Sequence, residues 1–399
     1  MIFDPSTNFY SINDFLIYFL SDAANLFFCF IFLATFLFFN KINLKEFFYW
    51  GFLFFLVSII NLFAASFNIF PDLNGYLFCL RDLRDNFSFQ EAECTITSMG
   101  SSDTILEEDG GAFGVFSLKR SLPAILYSLI PIPSIATLSS LGFINKIFLF
   151  LTYLVLKKHV IHIKPYLNIL LFLFIFPSIM LYSSVGLRDN IIFCTQVLLL
   201  LTIFQKQFFR SGFLLAVLCS IKFQNGLIFS ILFIGVFFFK ADQGKRLFSL
   251  YCLTILAVLI YFHDRIVEII NYFRLAFLNE VGAISPNMVF EGYDSLVNII
   301  LISPLTFFNG IFSPMPSNIL SVIFFLESFS IVAISLWLFS KKLFSNSFFL
   351  MLVFITVFGG VVLNALVIEN DFTFLRYKYS FTSLFLIYLL IDSKKNVIN

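Results

Sequence analysis

Apolar runs of about twenty residues recur along this chain, and no other feature limits its fold so strongly. A helix rises 1.5 Å per residue, so about twenty residues cross a ~30 Å hydrocarbon layer. The membrane-crossing segments read from the sequence lie near 14–39, 47–69, 137–156, 166–184, 190–205, 211–221, 224–239, 247–263, 318–340, 346–367 and 375–391, with 211–221 the shortest. Charge is scarce: 12% of the 399 residues are charged and 60% are hydrophobic, whereas soluble domains carry about 25% charged residues. Too few charges remain to cover a water-facing surface. That excludes a cytosolic enzyme, a nucleic-acid binder and a disordered scaffold. A transmembrane β-barrel is excluded as well, because its strands alternate over roughly ten residues. The expected class is an all-α polytopic membrane protein. About eleven transmembrane helices form one integral membrane domain over 1–399. The 62 Phe are read partly as codon bias, and no single Phe is given a role.

Eleven spans put the termini on opposite sides. With the C-terminus cytoplasmic, the inner stretches carry Lys41, Lys45, Lys157, Lys158, Lys164, Lys206, Arg210, Lys240, Lys245, Arg246, Lys341, Lys342, Lys394 and Lys395. Their only acids are Glu46, Asp242 and Asp392. This is the positive-inside pattern, concealed by a net charge of +1. Residues 1–13 hold no Lys or Arg, so no signal peptide is expected. The outer side then receives a large first loop, 71–136, a second loop, 264–317, and the short stretch Ile368–Phe374. Two outer stretches, 122–133 and 296–316, are apolar but interrupted by proline. They are expected to lie as half-buried helices along the outer face. Residues 210–246 are expected to form a hairpin of two short helices with Lys222 at its tip. Of six Cys, only Cys79 and Cys94 fall in the first outer loop. One disulfide is expected there in an oxidising compartment, with two unpaired thiols as the alternative.

Ionisable residues at membrane depth cost about 2.5–3.5 kcal/mol on insertion scales and are functional candidates by default. Arg188 and Asp189 (SSVGLRDN) stand at an outer turn, Lys222 at the hairpin tip, and Lys146 in or near the outer half of a span. Arg376 and Lys378 (FLRYKY) open the last span. Cations gathered at one face from separate parts of the chain would suit a phosphate-bearing headgroup. Arg binds phosphate as a bidentate fork and Lys as a point charge. Each cation has a plainer alternative: an Arg188–Asp189 ion pair at a helix boundary, or Lys222 snorkelling to the headgroups. In the first outer loop, Arg81 and Arg84 share a helical face and could contact phosphate or sugar, and Asp72 is a candidate base. A solvated surface helix is the alternative there. His263, beside Asp264, is a second candidate base, with a plain interfacial His as the alternative. Glu327 reads as a buried, hydrogen-bonding structural acid. The chain has no zinc-ligand spacing, P-loop, GxSxG or EF-hand loop, so neither metal nor cofactor is expected.

The stretches FPSIMLYSSVGLRDNIIF, SIKFQN, FFNGIFSPMPSNILSVIFFLESF and ENDFTFLRYKYSF, within 165–391, resemble bacterial polymerases of O-antigen and related repeat-unit polysaccharides (Wzy-type and EpsG-like). Where relatives often have Gly-Thr before the final Arg, this chain has Asp371-Phe372-Thr373. The resemblance implies a GT-C-like enzyme of the bacterial inner membrane that works at the periplasmic face, with both large loops periplasmic. It would move a glycan from undecaprenyl diphosphate onto a sugar hydroxyl of an incoming lipid-linked repeat unit. The implied partners are the undecaprenyl-diphosphate-linked oligosaccharide, membrane lipid and a chain-length regulator, with no nucleic acid. Two other functions fit the same inventory: a GT-C glycosyltransferase with a polyprenyl-phosphate sugar donor, and a lipid-linked oligosaccharide flippase.

Overall fold

In a computed structural model of the chain, the described residues are 12–66, 73–86, 97–98, 116–117, 121–160, 164–239, 250, 253–254, 257, 260–280, 292–340, 347–368 and 371–392. Helices fill most of them: α1 Ile12–Phe38, α2 Leu44–Ser66, α3 Leu73–Asn86, α4 Ser121–Ser128, α5 Ser139–Val160, α6 Lys164–Phe174, α7 Pro177–Ser184, α8 Asp189–Phe204, α9 Phe208–Ile221, α10 Phe223–Phe239, α11 His263–Glu280, α12 Leu296–Phe312, α13 Ile319–Ser340, α14 Ser347–Val367 and α15 Asp371–Asp392. Two-residue strands, Thr97–Ser98 and Phe116–Ser117, pair antiparallel. Among the described residues, six helices are long and apolar enough to cross a membrane. They lie in α1, α2, α5, α13, α14 and α15. The pair α6 and α7, bent by 50°, makes a seventh if taken as one span. Four further apolar helices, α8, α9, α10 and α12, are shorter. The protein is a polytopic α-helical membrane protein.

Polar residues set the helix ends inside the apolar pattern. Asn43 and Glu46 form a reciprocal cap on α2: each accepts from the other's backbone N–H, at 2.8 and 2.9 Å. Asn318 and Ser321 do the same at the start of α13. Both α1 and α8 stop on a left-handed residue, Asn40 (φ 53°) and Lys206 (φ 60°). In each case the next N–H reaches back to a last-turn carbonyl, Lys41 to Phe36 and Gln207 to Thr202.

Two compact units divide the chain: residues 1–158, 179–198 and 216–223 form one, and 159–178, 199–215 and 224–399 the other. In the first, side-chain pairs fix the helix directions. Phe32 and Phe36 of α1 and Trp50 of α2 meet Phe150 of α5 edge-on, at 5.9, 5.2 and 5.2 Å. At the opposite end, Asp22 of α1 meets Ser139 of α5, so α1 and α5 run parallel. Asn61 of α2 bonds Ser184 at the end of α7. Glu46, at the other end of α2, bonds Tyr153 and Lys157, so α2 is antiparallel to α5. One end of this unit therefore holds Asp22, Asn61, Ser139 and the 184–190 turn. The other holds Glu46, Lys157 and the Lys41 carbonyl that Lys157 reaches.

In the second unit, Val267 and Ile270 of α11, Ile299 of α12, and Val362 and Leu366 of α14 form a common core. Gly360 lets α14 approach α15, because a Cβ there would lie 2.3 Å from the Phe381 ring. Phe208, at the start of α9, packs on Phe233 and Phe237 near the end of α10, at 6.3 and 5.4 Å. Helices of about 21 and 26 Å can meet so only if the chain reverses at Lys222, as the sequence reading expects. One expectation changes. Pro304 does not interrupt the 296–316 stretch but lies inside α12. A proline removes one backbone donor, yet membrane helices tolerate this where neighbours cover the freed carbonyl. Helix α11 also occupies the first third of what reads from sequence as the second outer loop.

Candidate functional site

The turn after α7 is held by its backbone. Three side chains on three different helices donate to its carbonyls: Asn61 to Ser184 O at 2.7 Å, Tyr127 to Gly186 O at 3.0 Å and Asn145 to Leu187 O at 3.0 Å. Asn190 returns a bond to Asn145 O at 2.9 Å. Two glycines permit the close approach. Gly186 adopts φ +75°, and a Cβ on Gly142 would sit 1.9 Å from Ser184 O. The residues carried by this turn are Arg188, half-buried, and Asp189, buried as the first residue of α8. A carboxylate there suits the positive helix N-terminus. Tyr127 is fully buried, and burial pushes its phenol well above the ordinary value. The neighbouring Tyr76 and Asp189 push the same way, while Asn145 and Arg188 oppose them. A cation and a carboxylate on the turn and a phenol on α4 are thus gathered at one place.

Beside it lies a second polar cluster. Helix α1 carries three buried polar residues within its apolar stretch, Ser21, Asp22 and Asn25. They meet the unwound segment before α5. Ser21 pairs with the Ser134 hydroxyl at 2.7 Å, and Asn25 bonds both the carbonyl and the N–H of Ser134. Asp22 Oδ1 accepts from Thr137 Oγ1 at 3.0 Å and from Ser139 Oγ. On its other side the same segment is gripped by α3. Arg81 Nε donates to Ile135 O at 2.8 Å, and Arg84 donates to the Ile132 and Ile130 carbonyls. Both arginines therefore shape the segment that joins Tyr127 of α4 to Ser139 of α5.

Among the described residues, the buried charges of the second unit, Glu327 and Lys378, each meet the end of another helix. Glu327 of α13 accepts from the N–H (2.9 Å) and the hydroxyl of Ser178, in the first turn of α7 behind Pro177. It is the buried structural acid expected from sequence. Lys378 of α15 donates to Gly310 O (3.2 Å), Ile311 O (2.7 Å) and Ser313 O at the end of α12, and to Ser328 Oγ (3.0 Å). A cation there offsets the negative end of the helix dipole. Lys378 is thus taken up by backbone, whereas Arg376, two residues earlier, is half-buried with its guanidinium 5.5 Å from the Tyr377 ring.

The other sequence candidates fall as follows. Lys222 is half-buried between α9 and α10. Lys146 is fully buried in α5, with Nζ 3.3 Å from Met180 Sδ and no acid within ion-pair distance among the described residues. His263 is exposed at the start of α11 and lies 3.1 Å from Asp264. Asp72 and Cys94 lie outside the described residues. Cys79 is disulfide-bonded, and Cys29, Cys194 and Cys219 are free. No group of three or more His, Cys, Asp or Glu among the described residues could hold a metal. Sequence reading missed Asp22, Asn25, Asn61, Tyr127 and Asn145. For the four outside Tyr127 the available signal was a polar side chain in an apolar run. Comparison with protein-family models, curated proteins and solved structures finds no match for the chain.

Proposed function

We propose that the protein is a glycosyltransferase that polymerises lipid-linked oligosaccharide repeat units of the O-antigen or capsule type. The observation that carries this reading is the 184–190 turn. Three helices fix its backbone, and it presents a half-buried arginine beside a buried carboxylate. Transferring a glycan from undecaprenyl diphosphate needs a cation held ready where the diphosphate departs, since preorganised charge is worth most at the position where charge develops. Arg188 is that cation in this account, and its planar fork matches two phosphate oxygens. Lys222 is assigned to the same headgroup as a point charge.

The account places the protein in a bacterial inner membrane with its C-terminus cytoplasmic and the Arg188 end of the first unit periplasmic. Support comes from that unit, whose opposite end collects Lys41, Lys157 and the capping Glu46, as the positive-inside rule asks. With α12 lying along the outer face, the six long helices, the shorter α8, α9 and α10, the bent pair and the 247–263 run make up the eleven spans of a GT-C-like arrangement. The test is purified protein in nanodiscs, supplied with undecaprenyl-diphosphate-linked repeat units in one reaction and with a polyprenyl-phosphate-linked sugar and the same acceptor in a parallel one. A ladder of products rising by one repeat supports the reading. A single sugar added from a polyprenyl-phosphate donor would replace it with the simpler glycosyltransferase, and unchanged substrate would remove the enzyme.

A further inference from the structure

Asp22 is the carboxylate that the sequence candidates do not include and that the polymerase reading leaves without a role. It lies in the apolar stretch Phe19–Phe38 and is 5% exposed. Its two oxygens are treated differently. Oδ1 accepts the hydroxyls of Thr137 and Ser139, while Oδ2 has no hydrogen-bond partner among the described residues. A buried carboxylate oxygen left without a donor is costly and calls for an explanation. Its surroundings are built to hold it still. Asn25 and Ser21, one turn or less away on α1, lock Ser134, and Thr137, Ser139 and Ser140 bond among themselves.

Asp22 also belongs to the same polar end as the Arg188 turn. Ser139, which bonds Asp22, opens the helix whose Gly142 and Asn145 receive that turn. On α2, the Ser58 hydroxyl is a third one within hydrogen-bonding reach of the Asp22 carboxylate, without a full bond to Oδ2, and Asn61, three residues on, bonds Ser184 O. The two other candidate bases are placed differently. His263 is exposed in the second unit, and Asp72 lies outside the described residues.

We propose, on the polymerase reading, that Asp22 is the catalytic base and that Oδ2 accepts the hydroxyl of the incoming acceptor sugar. The hydroxyl is the donor type that Oδ1 already binds twice. As the acceptor oxygen bonds the anomeric carbon, its proton passes to Oδ2. The bond from that carbon to the diphosphate oxygen breaks, and its electron pair leaves with the diphosphate. Water later removes the proton from Asp22, so donor and acceptor balance the step and no oxidant is required.

The experiment measures polymerisation and lipid-linked substrate binding in nanodiscs for wild type, Asp22→Asn and Asp22→Glu, with thermal unfolding recorded for each. Asp22→Asn keeps the shape and should bind substrate within threefold of wild type while losing at least 100-fold in rate. Asp22→Glu keeps a base but displaces it by one methylene, and should retain polymer at a rate 10- to 100-fold lower. If Asp22→Asn does not fold, Asp22→Glu decides. Slow polymer with normal binding supports the base. A wild-type rate, or a rate lowered only in proportion to lost folded protein, overturns it. A wild-type rate in Asp22→Asn overturns it directly. If wild type itself makes no polymer, the polymerase reading fails first, and that result is distinguishable because it requires no variant.

Discussion

Replacing Gly142 with alanine should separate α5 from the 184–190 turn. The added Cβ would lie 1.9 Å from Ser184 O and 2.8 Å from Val57 Cγ1. Ordinary carbon–oxygen contact begins near 3.4 Å, so the turn must retreat by roughly 1.5 Å. That distance cannot come from a flexible side-chain tip, because the obstructing atom is backbone. The retreat breaks or bends the bonds from Asn61 to Ser184 O and from Asn145 to Leu187 O, now 2.7 and 3.0 Å. Two buried bonds at about 1 kcal/mol each, with about 1–3 kcal/mol of overpacking, give about 3–5 kcal/mol. This is a large part of the ~5–15 kcal/mol that holds a typical domain. Gly212→Ala is the control: nothing lies within 4 Å of its Cβ position. Alanine in that helix should stabilise by about 0.5–1 kcal/mol. Unfolding in mixed micelles on titration with denaturing detergent, followed by tryptophan fluorescence, measures both. Coincident curves for Gly142→Ala and wild type would refute the close packing of α5 on the turn, and with it the fixed placement of Arg188.

Neighbouring glycines in α14 should behave oppositely in the same assay. Gly359→Ala meets nothing within 4 Å and should be neutral or mildly stabilising, whereas Gly360→Ala runs into the Phe381 ring and should destabilise by about 1–3 kcal/mol. Maleimide applied to the folded, unreduced protein should label Cys219, which is half-buried, well before the buried Cys29 and Cys194, and should miss the disulfide-bonded Cys79. Fast labelling of Cys29 would contradict the packing of α1. A reporter active only in the periplasm should work when fused after residue 100 or 285 and stay silent after 243 or 395. Activity at 243 would reverse the orientation.

Much of the helical layout was legible in the sequence, because an apolar run of spanning length leaves few alternatives. The expected runs 318–340 and 346–367 became Ile319–Ser340 and Ser347–Val367. The reversal at Lys222 was also legible, since Arg210 and Lys240 lie too close in the chain for any other path. Pro304 was read as a break because proline loses a donor wherever it falls, but tertiary cover decides whether that loss ends a helix. Helix α11 was hidden by its charged opening, His263-Asp264-Arg265, which reads as loop. The candidate site was half visible. Arg188 and Asp189 stood out as charges at an apolar boundary. The residues that hold them did not, because each is one polar side chain among apolar neighbours and its partner lies far along the chain: 123 positions from Asn61 to Ser184 and 117 from Asp22 to Ser139. Lys378 looked like a companion of Arg376 for the same reason. Only the fold brings the Gly310, Ile311 and Ser313 carbonyls onto its amine.

Polymerisation itself is tested most directly in the cell. Deleting the gene should reduce the surface glycan from a ladder to core bearing a single repeat unit on a gel. Wild-type protein supplied from a plasmid should restore the ladder. Arg188→Ala, present in the membrane at wild-type level, should not restore it, and Arg188→Lys should restore it poorly because lysine lacks the bidentate fork. An unchanged ladder in the deletion strain, or a full ladder restored by Arg188→Ala, would contradict the account.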